Sequence, residues 1–256
     1  MSYTLHNQDC LSWMTTQADN SIDTIVFSPP YNLTGFRGMK LKRRGVWDTD
    51  GITYNNFNDD LPEEEYQAQQ VQVINECLRI LKPGGSIFYN HKIRMWNRRA
   101  SHPMSWILKS NAILHQEIIW DRKNTPALDC RMLFPVDERI YWLCKDKPKV
   151  RKKNATQKKT IWSISPDNNN DHPAPYPVEL ATACLTLVSD PGDIVYDPYS
   201  GSGTTLVAAK QLGLDSIGTE LDAGYCKIKN KKDDLKILIS EVAKKHGLSE
   251  IGRAHV

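Results

Sequence analysis

Two short segments of the chain carry residue types whose spacing could do chemistry. In the first, Phe27-Ser28-Pro29-Pro30-Tyr31-Asn32, Ser28 offers a hydroxyl and a carbonyl. The two prolines stiffen the turn and have no N–H of their own to compete for nearby acceptors. Tyr31 follows as a large planar ring. Two acceptors, the Ser28 side chain and the Pro29 carbonyl, match the two N–H bonds of an exocyclic amino group, and an aromatic ring suits stacking on a base. Reaching a base edge in this way requires the base to leave the duplex stack. Ser28, Pro29, Pro30 and Tyr31 are therefore the candidate catalytic residues. Taken alone, the same four residues also describe a plain rigid turn beside a core tyrosine.

The second segment is DIVYDPYSGSGTTLVAAKQLG, residues 193–213. It places Asp197 at a strand tip, Gly201 and Gly203 in the turn, and Thr204 and Thr205 at the start of a helix. Glycines at alternate positions permit positive φ and close approach of a ligand to the backbone. The helix start offers free N–H groups and two hydroxyls to the polar tail of a cofactor. The segment lacks the GK[ST] step of a phosphate loop and is not GxGxxG. The next strand, SIGTELD, ends at Glu220, where an acid is placed to hold a ribose diol. An ordinary tight turn followed by a surface acid is the bland alternative.

Both segments sit at the ends of apolar strands. Residues 21–27, SIDTIVF, read as a buried strand broken by Pro29 and Pro30. A short strand and a helical turn precede it. Residues 32 to about 60 show neither helical nor strand periodicity, which suits a lid or binding loop. A helix follows, expected to be capped by Asp59 or Asp60, with Pro62 near its first turn and Val73, Ile74, Cys77, Leu78 and Leu81 on its buried face. LKPGG ends it, and SIFYN, residues 86–90, is the next strand. A helix over about 103–110 leads to AILHQEIIW and ERIYWLCK, expected as an antiparallel pair. From Pro177 the pattern is helix, strand, helix with Gly213 just past its end, strand, and an amphipathic C-terminal segment from Asp222. Strand and helix in alternation imply an α/β fold, a mostly parallel sheet with helices on both faces and ligands at the C-terminal strand ends.

The chain has 256 residues, 40% hydrophobic and 25% charged, enough for a full core and unlike disordered or fibrous sequences. No apolar run approaches membrane length and the N-terminus lacks a secretory pattern, so a cytoplasmic protein is expected. The cysteines at 10, 77, 130, 144, 184 and 226 form no CxxC; they are expected as unligated, mostly buried thiols, with no metal. The net charge of +3 is small but unevenly spread. Arg37, Lys40, Lys42, Arg43 and Arg44 crowd one segment, and Lys149, Arg151, Lys152 and Lys153 lie in another that runs from 145 to 159. A third patch, Lys92, Arg94, Arg98 and Arg99, is interleaved with Trp96 and Trp106. Such patches suit phosphate backbones, and the aromatics suit exposed bases.

Together the motifs resemble those of the amino-group DNA methyltransferases that use S-adenosylmethionine, in the circularly permuted beta class where the target-amine motif precedes the cofactor motif. SPPY at 28–31 looks like that family's [DNS]PP[YFW], DPYSGSGTT at 197–205 like its DPFxGSGTT, and HPAPYPVEL at 172–180 like the helix entry before it. GTELD with Glu220 resembles the ribose-binding strand. NQDC resembles the short GDC-like element near the cofactor adenine, although Gln8 replaces the usual glycine. The resemblance runs from about residue 3 to 240.

It implies a Rossmann-like methyltransferase fold with a seven-stranded sheet, a single catalytic domain over 1–256, a lid or DNA loop at 33–60 and a short basic target-recognition insertion at 145–171. It assigns S-adenosylmethionine to Asp9, Cys10, Asp197, Tyr199, Gly201, Ser202, Gly203, Thr204, Thr205, Glu220 and Leu221. DNA contacts fall to Arg37, Lys40, Lys42, Arg43, Arg44, Lys149, Arg151, Lys152 and Lys153. The expected partner is double-stranded DNA, with a homodimer and a separately encoded cognate restriction endonuclease as further candidates, in a prokaryote or phage. Ser28 and the Pro29 carbonyl would orient the amine for direct in-line transfer without a covalent enzyme adduct. Serine before the prolines leans toward cytosine N4, with adenine N6 the alternative; RNA methylation and a non-catalytic DNA-binding module are the rival classes.

Overall fold

In the computed structural model, residues 2–32, 59, 61–96, 99–123, 133, 135–151, 159–166, 176–224 and 226 are described. The strands are β1 (Tyr3–His6), β2 (Ile22–Phe27), β3 (Leu81–His91), β4 (Arg94–Trp96), β5 (Arg99–Ser101), β6 (Ile113–Asp121), β7 (Asp137–Cys144), β8 (Ile161–Ser163), β9 (Ile194–Asp197) and β10 (Asp215–Thr219). The helices are α1 (Cys10–Met14), α2 (Glu63–Ile80), α3 (Met104–Ile107), α4 (Val178–Val188) and α5 (Thr204–Gln211). None is long and apolar enough to cross a membrane, among the described residues.

Eight strands form one sheet in the order β1-β10-β9-β2-β3-β7-β6-β8, and β4 and β5 make a separate hairpin. Every ladder of the large sheet is parallel except the two made by β7, which runs antiparallel to β3 and to β6. The expected β6/β7 pair is present, with Ile118 opposite Ile140. The resemblance implied seven strands; the eighth, β8, lies inside the basic insertion at 145–171. Its three residues, Ile-Trp-Ser, are too short to show periodicity.

Alternation along the strands divides the core into two layers. Ile25 and Phe27 of β2, Ile87 and Tyr89 of β3, and Tyr141 and Leu143 of β7 face α1, α2 and α3. Val26, Phe88, Ile140 and Trp142 face the opposite way, onto α4 and α5. Two buried tryptophans keep their indole N–H bonded: Trp106 Nε1 donates to Tyr89 Oη at 3.1 Å and Trp142 Nε1 to Ser86 Oγ at 3.0 Å. Cys10, Cys77, Cys144, Cys184 and Cys226 are buried, as expected for small apolar side chains; Cys130 lies outside the described residues.

The ends of α2 differ from the sequence reading. Pro62 is its N-cap and no side chain caps it. Asp59 instead accepts the Asn32 N–H at 2.7 Å, so its carboxylate ties the end of the SPPY turn rather than a helix start; Asp60 lies outside the described residues. Leu81 leaves the helix and begins β3. Between the pairs Ile22/Leu81 and Thr24/Ser86 the register shifts, so KPGG forms a bulge with Gly84 at φ 77°. Gly213 ends α5 as expected, at φ 76°. Its N–H bonds the Lys210 carbonyl at 3.2 Å and that of Leu214 bonds the Ala209 carbonyl at 2.9 Å, the two bonds of a Schellman motif.

Candidate active site

Both motifs lie at C-terminal strand ends, and the topology makes them neighbours. β2 hydrogen-bonds directly to β9, with Ile25 opposite Tyr196. Continuing that register puts Val26 beside Asp197 and Ser28 two residues farther along, so the two chains leave the sheet about 8 Å apart.

The glycine turn has the expected conformation. Gly201 is at φ 43° and Gly203 at φ 81°, and Gly203 is the N-cap of α5. Asp197 faces inward and is 1% exposed. Its Oδ2 accepts from Thr205 Oγ1 at 2.6 Å and Tyr176 Oη at 3.2 Å, and its Oδ1 from the Tyr199 N–H at 3.0 Å. Tyr176 Oη and Thr205 Oγ1 also lie in contact, so either can donate to the other when not donating to Asp197. Asp197 and Thr205 thus brace the cradle from below, and the first-turn N–H groups of α5 are what the cradle presents above. Ser202 lies within hydrogen-bond distance of Thr204.

Glu220 reaches the cradle from the adjacent strand. Its Oε2 accepts the Gly201 N–H at 2.7 Å and its Oε1 the Asp222 N–H at 2.9 Å. Each oxygen keeps a second lone pair for a hydroxyl. Asn7, the first residue of NQDC, pins this corner: its Nδ2 donates to the carbonyls of Glu220 and Leu221 at 2.9 and 3.0 Å. Leu221 itself is 40% exposed. Asp9 caps α1, accepting from the Ser12 N–H and hydroxyl, both on Oδ1. Cys10 is hydrogen-bonded to Tyr199, and burial, with the Asp9 charge adding, pushes its thiol up to about 12. That thiol is a tie between α1 and the cradle, not a nucleophile.

The SPPY turn is held from three directions. Asn32, at φ 54°, exchanges side-chain bonds with the Leu61 backbone, Nδ2 to O at 2.8 Å and Oδ1 from N at 2.7 Å. Tyr66 Oη lies 2.9 Å from the Pro30 carbonyl and 2.8 Å from His91 Nε2. Burial holds His91 well below the usual imidazole range, and its ring packs on Tyr31 with centroids 4.3 Å apart. Among the described residues nothing donates to the Pro29 carbonyl, which leaves it for a ligand. Lys92 Nζ stands 5.6 Å from the Tyr31 ring.

Three further side chains join Ser28 and Tyr31, and sequence reasoning named none of them. Glu138 starts β7, which is antiparallel and so opens at this end of the sheet; Asn90 ends β3; Arg122 follows β6. Tyr31 Oη is 2.7 Å from Ser28 Oγ and donates to Glu138 Oε2 at 3.0 Å. Asn90 Nδ2 donates to Glu138 Oε2 at 2.8 Å and to Tyr31 Oη at 2.9 Å. Arg122 Nη1 bonds Glu138 Oε1 at 2.9 Å. Burial first, and the Glu138 charge second, hold the Tyr31 hydroxyl protonated far above its usual range. Beneath the notch lies a small cavity lined by Val26, Phe88, Asn90, Ile140 and Tyr176 among others.

The basic residues divide differently. Arg37, Lys40, Lys42, Arg43, Arg44, Lys152 and Lys153 lie outside the described residues. Lys149 and Arg151 are not brought to the notch. The Lys149 N–H bonds the Gly84 carbonyl at 2.9 Å, and Arg151 Nη2 bonds Asp190 at 2.7 Å. Gly84 opens β3 and Asp190 precedes β9, so both lie at the opposite end of the sheet, about 20 Å along β3 from Asn90.

A family model described as DNA methylase matches residues 22–231. The chain is 27% identical to the type II methyltransferase M.BglII of Bacillus subtilis over 88% of its own length and 67% of that enzyme's. It is 28% identical to M.BamHI of Bacillus amyloliquefaciens over 95% of this chain and 64% of that one. It thus spans about two thirds of these relatives. Among solved structures, the cytosine-N4-specific PvuII DNA methyltransferase superposes with a TM-score of 0.71 at 16% identity, covering 95% of this chain and 93% of that chain. The M1.HpyAVI–SAM complex gives 0.62 at 18%, covering 90% and 98%.

Proposed function

The chain belongs to the DNA methylase family, the S-adenosylmethionine-dependent enzymes of the N4-cytosine/N6-adenine kind, and from that premise we propose that it methylates the exocyclic amine of a base swung out of duplex DNA, with cytosine N4 favoured. The observation that carries this reading is the juxtaposition of the Ser28–Pro29 notch with the Gly201–Gly203 cradle on the hydrogen-bonded strands β2 and β9.

The cradle fits the cofactor. The α5 N-terminus suits the carboxylate of the methionyl part, the Glu220 oxygens suit the ribose diol, and positive φ at Gly201 and Gly203 keeps side chains out of the way. When bound, S-adenosylmethionine supplies a methyl group on an electron-poor sulfonium. The protein's task is orientation. An amine conjugated to its ring is a weak nucleophile, since its lone pair is delocalised. Ser28 Oγ and the Pro29 carbonyl accept its two N–H bonds and draw the nitrogen toward tetrahedral geometry, with the lone pair toward the cradle. Holding both partners at attack distance replaces a collision with an ordered encounter. The serine of SPPY leans toward cytosine within the family, with adenine N6 the alternative. DNA enters at the C-terminal strand ends, in a single catalytic domain; the lid or DNA loop expected at 33–60 lies, apart from Asp59, outside the described residues.

Nucleoside mass spectrometry of DNA from cells expressing the protein tests the reading. N4-methylcytosine is expected; N6-methyladenine would move the target to adenine, and unmodified DNA would refute the reading. The homodimer is tested by sedimentation of the free protein and of its DNA complex.

A further inference from the structure

The hydroxyls of the notch have only one consistent arrangement of protons. Tyr31 has a single hydroxyl proton and gives it to Glu138 Oε2 at 3.0 Å. In the 2.7 Å contact between Ser28 Oγ and Tyr31 Oη, Ser28 must therefore be the donor. The lone pairs of Ser28 Oγ are then left to accept from the notch, where Asn90 Nδ2 approaches only to 3.4 Å. Asn90 cannot take up a proton, but its amide donates to both Tyr31 and Glu138 and fixes their spacing. Stacking needs only the ring of Tyr31, yet its hydroxyl is turned into the protein toward a carboxylate that is 7% exposed.

We propose that Ser28, Tyr31 and Glu138 form a proton-release wire for the amine; this rests on the function proposed above. The amine nitrogen gives its lone pair to the methyl carbon, and the carbon–sulfur bond breaks with its electron pair left on sulfur. The nitrogen is now cationic and must lose a proton. That proton passes to Ser28 Oγ as the Ser28 proton moves to Tyr31 Oη and the Tyr31 proton moves to Glu138 Oε2. The carboxylate ends as a neutral acid, so charge is balanced inside the site, and it returns the proton to solvent when product leaves. Among the described residues the charged groups facing Glu138 are Arg122, bonded at 2.9 Å, and Lys92, and the titratable one is Tyr31. The two cations supply positive charge beside the carboxylate, whose Oε2 accepts the Tyr31 hydroxyl.

The test is single-turnover transfer of labelled methyl from S-adenosylmethionine to unmodified genomic DNA, from mildly acid to mildly alkaline pH, in ordinary and heavy water. Tyr31→Phe and Glu138→Gln are each expected to slow transfer by about 100-fold, as for loss of an acid–base group. The double variant should be no slower than the worse single one, because both interrupt one chain. Any fall of wild-type transfer toward acid should vanish in Glu138→Gln, and the heavy-water slowing in both variants. Calorimetric affinity for S-adenosylmethionine should stay at the wild-type value, separating Tyr31 and Glu138, which act through Ser28, from a merely structural role. Glu138→Gln leaves Arg122 without its carboxylate and can fail to fold; Tyr31→Phe, of nearly the same shape, still decides. Labelled DNA with a folded Tyr31→Phe variant at the wild-type rate and pH profile overturns the wire alone. Wild-type protein that binds cofactor yet labels no DNA overturns the function and the wire with it.

Discussion

Replacing Asp197 with alanine takes one acceptor from three donors. Its carboxylate receives Thr205 Oγ1 at 2.6 Å, Tyr176 Oη at 3.2 Å and the Tyr199 N–H at 3.0 Å, in a position 1% exposed. Hydrogen bonds to a charged group are worth about 1.5 to 3 kcal/mol each. Thr205 and Tyr176 still have each other, so the variant loses the equivalent of two bonds, about 3 to 6 kcal/mol. That is a third or more of the stability of a typical domain. Asp197→Asn keeps the acceptor for Tyr199 and turns its amide toward two hydroxyls that can accept, and should lose about 1 to 2 kcal/mol. Urea unfolding without cofactor reads both numbers, and calorimetry reads the affinity for S-adenosylmethionine, expected to fall with the stability because the turn is no longer braced. An Asp197→Ala protein within about 1 kcal/mol of wild type would show that the carboxylate is not structural and belongs to the ligand instead.

Gly203→Val puts a β-branched residue at φ 81° on the first step of α5; cofactor binding should be lost by calorimetry, and near-wild-type affinity in a folded variant would remove the cradle assignment. His91 is held neutral by burial, below its ordinary 6.5, so as pH falls through 6.5 the unfolded chain gains a proton that the folded one refuses, and stability should drop by up to about 1.4 kcal/mol per pH unit. His91→Gln should flatten that slope in urea unfolding at stepped pH, and an unchanged slope would mean another group carries it. Arg151→Ala breaks a half-exposed ion pair with Asp190 at the far end of the sheet and should leave the slope of log DNA affinity against log salt unchanged, where a phosphate contact would lower it by about one.

What was legible in the sequence was whatever one contiguous stretch encodes. SPPY and GSG announce their turns because proline and glycine restrict or free the backbone locally, and Asp197 and Glu220 sit at the strand tips expected of them. Yet the sequence reading had Asp197 facing the ligand, whereas the structure turns it inward onto Thr205. Direction at a strand end depends on what packs beneath, here Tyr176, which is 21 residues away in the chain. Glu138 could not have been found from spacing: in DERIYW it looks like any acid at the mouth of a strand, and only the antiparallel placement of β7 brings it to Tyr31, 107 residues earlier. Asp59 looked in sequence like a helix cap, but the tertiary structure gives its carboxylate the N–H of Asn32 instead.

The pairing of β1 with β10 sets an order of assembly. Tyr3–His6 lie against Ser216–Thr219, and β2 finds β9 about 170 residues later in the chain. On a ribosome adding about 5 to 20 residues per second, the notch, β3 and the β6/β7 hairpin emerge well before the strands that carry the cradle. The earliest strand made must wait at an open edge for one of the last, across a loop whose closure is entropically slow. Binding of S-adenosylmethionine then becomes a checkpoint on completed synthesis: a nascent chain interrupted before β9 has the residues of the amine notch and neither the glycine cradle nor Glu220 for the methyl donor.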